Sequence, residues 1–134
     1  MKKRVLFLCP ENNCHSQMAE GLLKHFYGDK YEVFSAGVSP TCLNKNAVEV
    51  MKEIGVDISK QTSKHVNNFL DQKFDVIVTL CDKDRDSYEN LFSKAQRLRW
   101  DFIDPSEGLE YQKDLPKALR EVRDGIKTKI IEHF

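Results

Sequence analysis

Two cysteines sit directly after apolar runs, and they are the residues of this 134-residue chain best placed to do chemistry. Cys9 follows Val5-Leu6-Phe7-Leu8, and Cys81 follows Val76-Ile77-Val78-Thr79-Leu80. Runs this short and flanked by charge read as buried parallel strands. After Cys9 come Pro10, Glu11, Asn12, Asn13, Cys14 and His15, and then Ser16 as the expected N-cap of a helix with Met18, Leu22, Leu23 and Phe26 on one face. A loop from a strand end to a helix start gathers backbone N–H groups at one point, where the helix dipole favours negative charge. Glu11, Asn12, Asn13, Cys14 and His15 therefore form a candidate oxyanion-binding loop. Such a loop is expected to lower the pKa of Cys9 and keep it as a nucleophilic thiolate.

The elements that must hold these residues alternate between strand and helix. Gly28-Asp29-Lys30 stops the first helix, and Tyr31 to Ala36 reads as a second strand. From Asn44 the residues Ala47, Val48, Val50, Met51 and Ile54 suit a helix closed by Gly55. A short helix is marked faintly at residues 66–70. Phe74 to Leu80 is the third strand, and the charged segment from Asp82 to Lys94 reads as a loop carrying a helix. Gln96 to Trp100 is a fourth strand. The last helix runs from near Asp114, with Leu115, Leu119, Val122, Ile126 and Ile130 as its apolar stripe. The expected fold is a single domain over residues 1–134, a three-layer α/β/α architecture with a four-stranded parallel sheet in the order 2-1-3-4. Ligands in such sheets sit beyond the carboxyl ends of the strands at the switch point, so Cys9 and Cys81 are expected across one cleft.

Composition narrows the partners. The 21 basic and 21 acidic residues cancel, which leaves no electrostatic footprint for nucleic acid or an anionic membrane. The absence of an 18-residue apolar stretch and the direct passage from Met1-Lys2-Lys3 into a strand point to the cytoplasm. In that reducing compartment four cysteines read as catalytic, redox-active or buried. Cys9, Cys14 and His15 lack the paired spacing of a metal site, so no metal and no cofactor is expected. Cys42 reads as incidental, and His65 and His133 as solvent-facing. Glu49, Lys52 and Glu53 read as a solvated helix face.

With these residues in hand, the chain resembles the low-molecular-weight tyrosine phosphatase fold and, within it, the arsenate reductases of the thioredoxin-coupled type. The likeness runs over nearly the whole chain. It is carried by the strand and Cys9 loop with Ser16-Gln17-Met18-Ala19-Glu20-Gly21, by Ser35-Ala36-Gly37, and by the stretch from Ala47 to Ser59. Val78-Thr79-Leu80-Cys81, Asp104-Pro105 and Val122-Arg123-Asp124 complete it. The resemblance implies that Cys9 attacks a bound arsenate, that Asp104 protonates the leaving oxygen, and that Cys81 resolves the intermediate to arsenite and a Cys9–Cys81 disulfide. It implies a Ser16 hydroxyl bonded to the Cys9 sulfur, Asn12 as a brace, and thioredoxin, glutaredoxin or a small thiol as the reductant. Asp-Pro is also a common turn former, so Asp104 has that simpler reading as well.

The chain departs from the family pattern at four positions. His15 stands where an arginine grips the oxyanion, and losing a comparable donor costs about 3–4 kcal/mol of transition-state stabilisation. Glu11 occupies a place usually held by a small residue, and Tyr88 the place of a third relay cysteine. Lys64 replaces the aspartate of a potassium site whose other members match Asn12, Glu20 and Ser35, which implies no potassium requirement. Two other functions stay open beside arsenate reduction. One is hydrolysis of phosphate monoesters such as phosphotyrosine, and the other is a non-catalytic oxyanion-binding or redox-sensing role. Cys14 reads either as a disulfide partner for Cys9 or as a packed thiol.

Overall fold

A computed structural model describes residues 2–80, 89–92, 94–102 and 115–134. Cys81, Tyr88 and Asp104 lie outside the described residues, as does most of the charged segment that follows Cys81. Within them the order is β1 (Lys3–Leu8), α1 (His15–Tyr27), β2 (Tyr31–Ala36), α2 (Lys45–Lys52), β3 (Val76–Thr79), β4 (Gln96–Arg99) and α3 (Leu115–His133). The four strands form one parallel sheet in the order β2-β1-β3-β4, as the alternating pattern predicts.

β1 is the central element because its apolar run is buried on both faces. Val5 and Phe7 join the cluster built from Met18, Leu22, Val50, Leu119 and Ile126, so α1, α2 and α3 share one face. Leu6 and Leu8 point the other way and pack with Val66, Phe69, Phe74, Ile77 and Phe92, which come largely from the short 3-10 turns Val66–Phe69 and Glu89–Phe92 and the approach to β3. Each fully buried side chain of this size contributes about 1.5–3 kcal/mol relative to exposure. The sheet is thus covered on both sides, and β1 cannot slip by one residue without reversing both clusters. Among the described residues no helix is long and apolar enough to cross a membrane.

Local signals explain most boundaries. Asn44 caps α2, its Oδ1 accepting from the N–H groups of Asn46 at 2.8 Å and Ala47 at 3.3 Å. α2 stops where Gly55 adopts a φ of +79°, with Val56 N–H donating to Met51 O and Gly55 N–H to Lys52 O, the paired bonds of a glycine-terminated helix. Two of the expectations change here. Ser16 is not the N-cap of α1: the helix begins at His15, and Cys14 holds the cap position without a side-chain capping bond. His65 is half-buried, and its Nδ1 accepts from Asn67 N–H at 3.0 Å.

Glu53 is more than a solvated position. Its carboxylate is bridged by Arg120 Nη2 at 2.8 Å and Arg123 Nη1 at 2.9 Å, which ties α2 to α3. Arg123 is buried and also donates to Val50 O at 2.7 Å. Hydrogen bonding to Arg120 is the main cause that lowers the Glu53 pKa from 4.5 to about 2. A folded pKa below the unfolded one contributes stability that is complete above about 4.5 and is lost as pH falls toward 2. Glu53→Gln is therefore expected to lower Tm at neutral pH, with the gap to the parent closing between those two pH values when unfolding is followed by circular dichroism.

Candidate active site

Cys9 is the first residue after β1, at the position where the connections on either side of the central strand diverge. Its side chain is 4% exposed. The sulfur lies 2.8 Å from Ser16 Oγ and also faces the backbone N–H groups of Asn12, Asn13 and Ser16. Burial pushes the thiol pKa above its ordinary value of 9.0, while the Ser16 hydroxyl and the three amides pull it down. The net shift is upward. The thiolate-favouring environment expected of the loop is present, but the removal of water from the sulfur outweighs it.

Ser16 reaches the sulfur because it lies one residue inside α1, where its hydroxyl turns back toward the loop instead of capping the helix. Asn12 Nδ2 donates to that hydroxyl at 2.8 Å and fixes its direction. Asn12 itself has a φ of +48°, a left-handed conformation that asparagine tolerates better than most residues. Its Oδ1 accepts the Lys64 N–H at 2.7 Å, and its carbonyl accepts Ser63 Oγ at 2.7 Å and Gln17 Nε2 at 2.9 Å. Every polar atom of this buried side chain thus has a partner, in keeping with the cost of leaving one without. These bonds tie Asn12 to α1 and to residues 63–64.

Two further segments hold the loop from outside. Residues 39–44 run alongside it, with Ser39 N–H donating to Pro10 O, Thr41 N–H to Glu11 O and Asn44 N–H to Asn13 O at 2.8, 3.1 and 2.8 Å. Gly37 makes the approach possible, because a Cβ there would lie 2.4 Å from Cys9 O and 2.5 Å from Pro10 O. On the other side, Gln61 Nε2 donates to Gln17 Oε1 at 2.8 Å. The roles of Gln17, Gln61 and Ser63 are not evident from the sequence. The only signal in the sequence is an amide side chain directly after Ser16, which the structure shows to be fully buried in the first turn of α1.

The remaining loop residues are distributed as follows. Glu11 is exposed, and its carboxylate accepts from Asn13 Nδ2 at 3.0 Å. Cys14 is buried in the main core cluster as a free thiol. His15 is buried at the start of α1, its ring edge-on to Phe102 with centroids 6.3 Å apart. Cys42 is exposed on the segment that runs beside the loop. Directly after β3, Leu80 donates its N–H to Leu8 O at 3.1 Å, and Cys81 is the next residue in sequence.

Behind the loop, Glu20 is buried on α1 and is compensated by three groups. Ser35 Oγ donates to Oε1 at 2.6 Å, Lys24 Nζ stands 2.8 Å from Oε2, and Lys64 Nζ stands 3.7 Å from Oε1. Burial lowers the Lys64 pKa, and the charge of Glu20 opposes that shift. With two ammonium groups already on one carboxylate, these residues do not fit a potassium ion. Among the described residues there is also no cluster of three metal-ligating side chains.

Comparison with known proteins agrees with this fold. The family described as low molecular weight phosphotyrosine protein phosphatase matches residues 4–134. The chain is 43% identical to an arsenate reductase of Halalkalibacterium halodurans, over 96% of this chain and 93% of that one. It is 38% identical to an arsenate reductase of Bacillus subtilis, over 97% and 94%. Among solved structures, an arsenate reductase in its phosphate-binding state superposes with a TM-score of 0.83 at 32% identity, covering 97% of this chain and 95% of the other. This chain belongs to the low molecular weight phosphotyrosine protein phosphatase family.

Proposed function

We propose that this protein reduces arsenate to arsenite, with Cys9 as the nucleophile. The observation that carries the proposal is the Cys9 sulfur at the focus of the Asn12, Asn13 and Ser16 amides and the Ser16 hydroxyl. The same donors that oppose the burial of a sulfur anion also suit a tetrahedral oxyanion bound against it. Relatives named arsenate reductase support the choice of substrate.

In the proposed cycle the Cys9 thiol first loses its proton, and the sulfur attacks arsenic(V). An arsenate oxygen leaves as water after protonation by Asp104. The amides of residues 12–15 hold the oxyanion, His15 supplies a directed N–H, and Glu11 stays at the rim. Cys81 as thiolate then attacks the Cys9 sulfur. The Cys9–arsenic bond breaks with its electron pair going to arsenic, which leaves as arsenic(III), and a Cys9–Cys81 disulfide forms. Two electrons from thioredoxin, glutaredoxin or a small thiol restore both cysteines. Cys81 distinguishes this cycle from phosphate-ester hydrolysis, which needs only the first cysteine.

The direct test is arsenate-dependent consumption of a reducing thiol. The parent protein is expected to be active, Cys9→Ser and Cys81→Ser to be silent, and His15→Ala to lose about tenfold or more in kcat/KM. Rapid aryl-phosphate hydrolysis with arsenate untouched would identify a phosphatase. Millimolar oxyanion binding with neither activity, improved by His15→Arg, would identify a binding protein.

Two more expectations follow from the site. Ser16→Ala removes one donor to the sulfur, so the Cys9 pKa should rise further and alkylation of Cys9 by iodoacetamide at neutral pH should slow by about tenfold, the equivalent of one charge-assisted hydrogen bond. Replacing sodium chloride by potassium chloride at equal ionic strength should leave kcat/KM and Tm unchanged, because Lys64 and Lys24 already compensate Glu20. A rise in either value specific to potassium would refute that assignment.

A further inference from the structure

At the end of the sheet opposite Cys9, where β1, β3 and β4 begin, the chain forms a second concavity that thiol chemistry does not use. It encloses about 490 Å³. Its floor is Phe74 and Phe92, whose rings meet edge to face at 5.5 Å, and Phe74 is held in turn by Phe34 and Phe69. The Arg4 guanidinium lies 5.0 Å from the Phe74 ring centroid and donates through Nη1 to Lys73 O. These contacts make the floor a preformed surface. Leu70 and Leu91 stand on its walls 45% and 44% exposed, two of the four large apolar side chains left in water among the described residues.

The rim is charged with one sign. Lys2, Arg4, Lys73 and Lys94 line the pocket against a single carboxylate, Asp75, and that carboxylate already accepts the Arg4 N–H at 2.7 Å. Among the described residues Lys73 and Lys94 have no ion-pair partner, whereas Arg4 Nε lies 3.4 Å from Glu32. In a chain of zero net charge this is a local excess of cations around an apolar slot. The volume falls within the range of about 300–1,000 Å³ usual for small-molecule sites. Bare inorganic oxyanions would leave the apolar walls wet, and neutral hydrocarbons would leave the ammonium groups unused.

The geometry points to a second binding site, for a small organic monoanion whose aromatic body rests on Phe74 and Phe92 between Leu70 and Leu91 and whose carboxylate faces Lys73 and Lys94. The site stands independently of the arsenate reading. Phenylacetate and its uncharged counterpart phenylacetamide are suitable probes, titrated into isotope-labelled protein and followed by amide chemical shifts. Phenylacetate should give saturable shifts at Leu70, Lys73, Leu91 and Ala95, and phenylacetamide should bind about tenfold more weakly. Lys94→Glu and Leu91→Asn, both at exposed positions, should each weaken phenylacetate by a similar factor while Cys9 alkylation proceeds at the parent rate. Equal affinity for acid and amide, shifts confined to Asn12 and Asn13, or no saturation would overturn the proposal. So would shifts at the same pocket residues that depend on protein concentration alone, which would assign the slot to a second copy of the chain.

Discussion

A sulfur atom taken out of water at the end of β1 is the constraint that the surrounding structure answers to. Desolvation alone would leave Cys9 an inert thiol, since an anion with no polar partner is costly in such a place. Three amides and one hydroxyl converge on it to offset that cost. They work only if the loop keeps one conformation, because a hydrogen bond weakens steeply when its geometry slips. Rigidity of the loop is therefore a chemical requirement as well as a structural one.

That rigidity is supplied from three directions, and Asn12 is where they meet. Its left-handed backbone turns the loop, its amide nitrogen orients Ser16, and its two oxygens take up Lys64, Ser63 and Gln17. The segment after β2 adds three backbone bonds along the outer side. Gly37 keeps that segment close enough to make them. Removing one support would loosen more than one bond, because the partners are shared.

Much of this was legible in the sequence where local rules govern. The β1 core run, the bounds of β2, a helix starting from Asn44 and the Gly55 stop follow from apolar patterning and from the conformations those residue types favour. The misreadings share one physical origin, which is tertiary context. Ser16 has the residue type of an N-cap, but a buried sulfur competes for its hydroxyl and wins. The Cys9 pKa was read from the loop dipole, whereas its direction is set by burial that no local pattern encodes. Glu53 looked solvated on α2 because its partners lie some seventy residues later on α3.

The placement of charge around the loop bears on how it selects a ligand. Lys64 touches the loop through its backbone N–H, but its ammonium, like that of Lys24, is turned to Glu20 behind it. Glu11, the acidic side chain on the loop itself, is exposed at its rim and accepts from Asn13. The sixth position after Cys9 carries a histidine packed on Phe102 where an arginine would bring a permanent charge and a bidentate fork. In the proposed cycle, attraction for the oxyanion comes mainly from directed N–H groups and the start of α1, which act over short range. Such a site recognises the arrangement of oxygens about a central atom more than total charge, so ions of like geometry compete in it. In the proposed cycle the second thiol, Cys81, then discriminates by chemistry where binding discriminates poorly: arsenic(V) can accept the electron pair, and phosphorus(V) under the same conditions cannot.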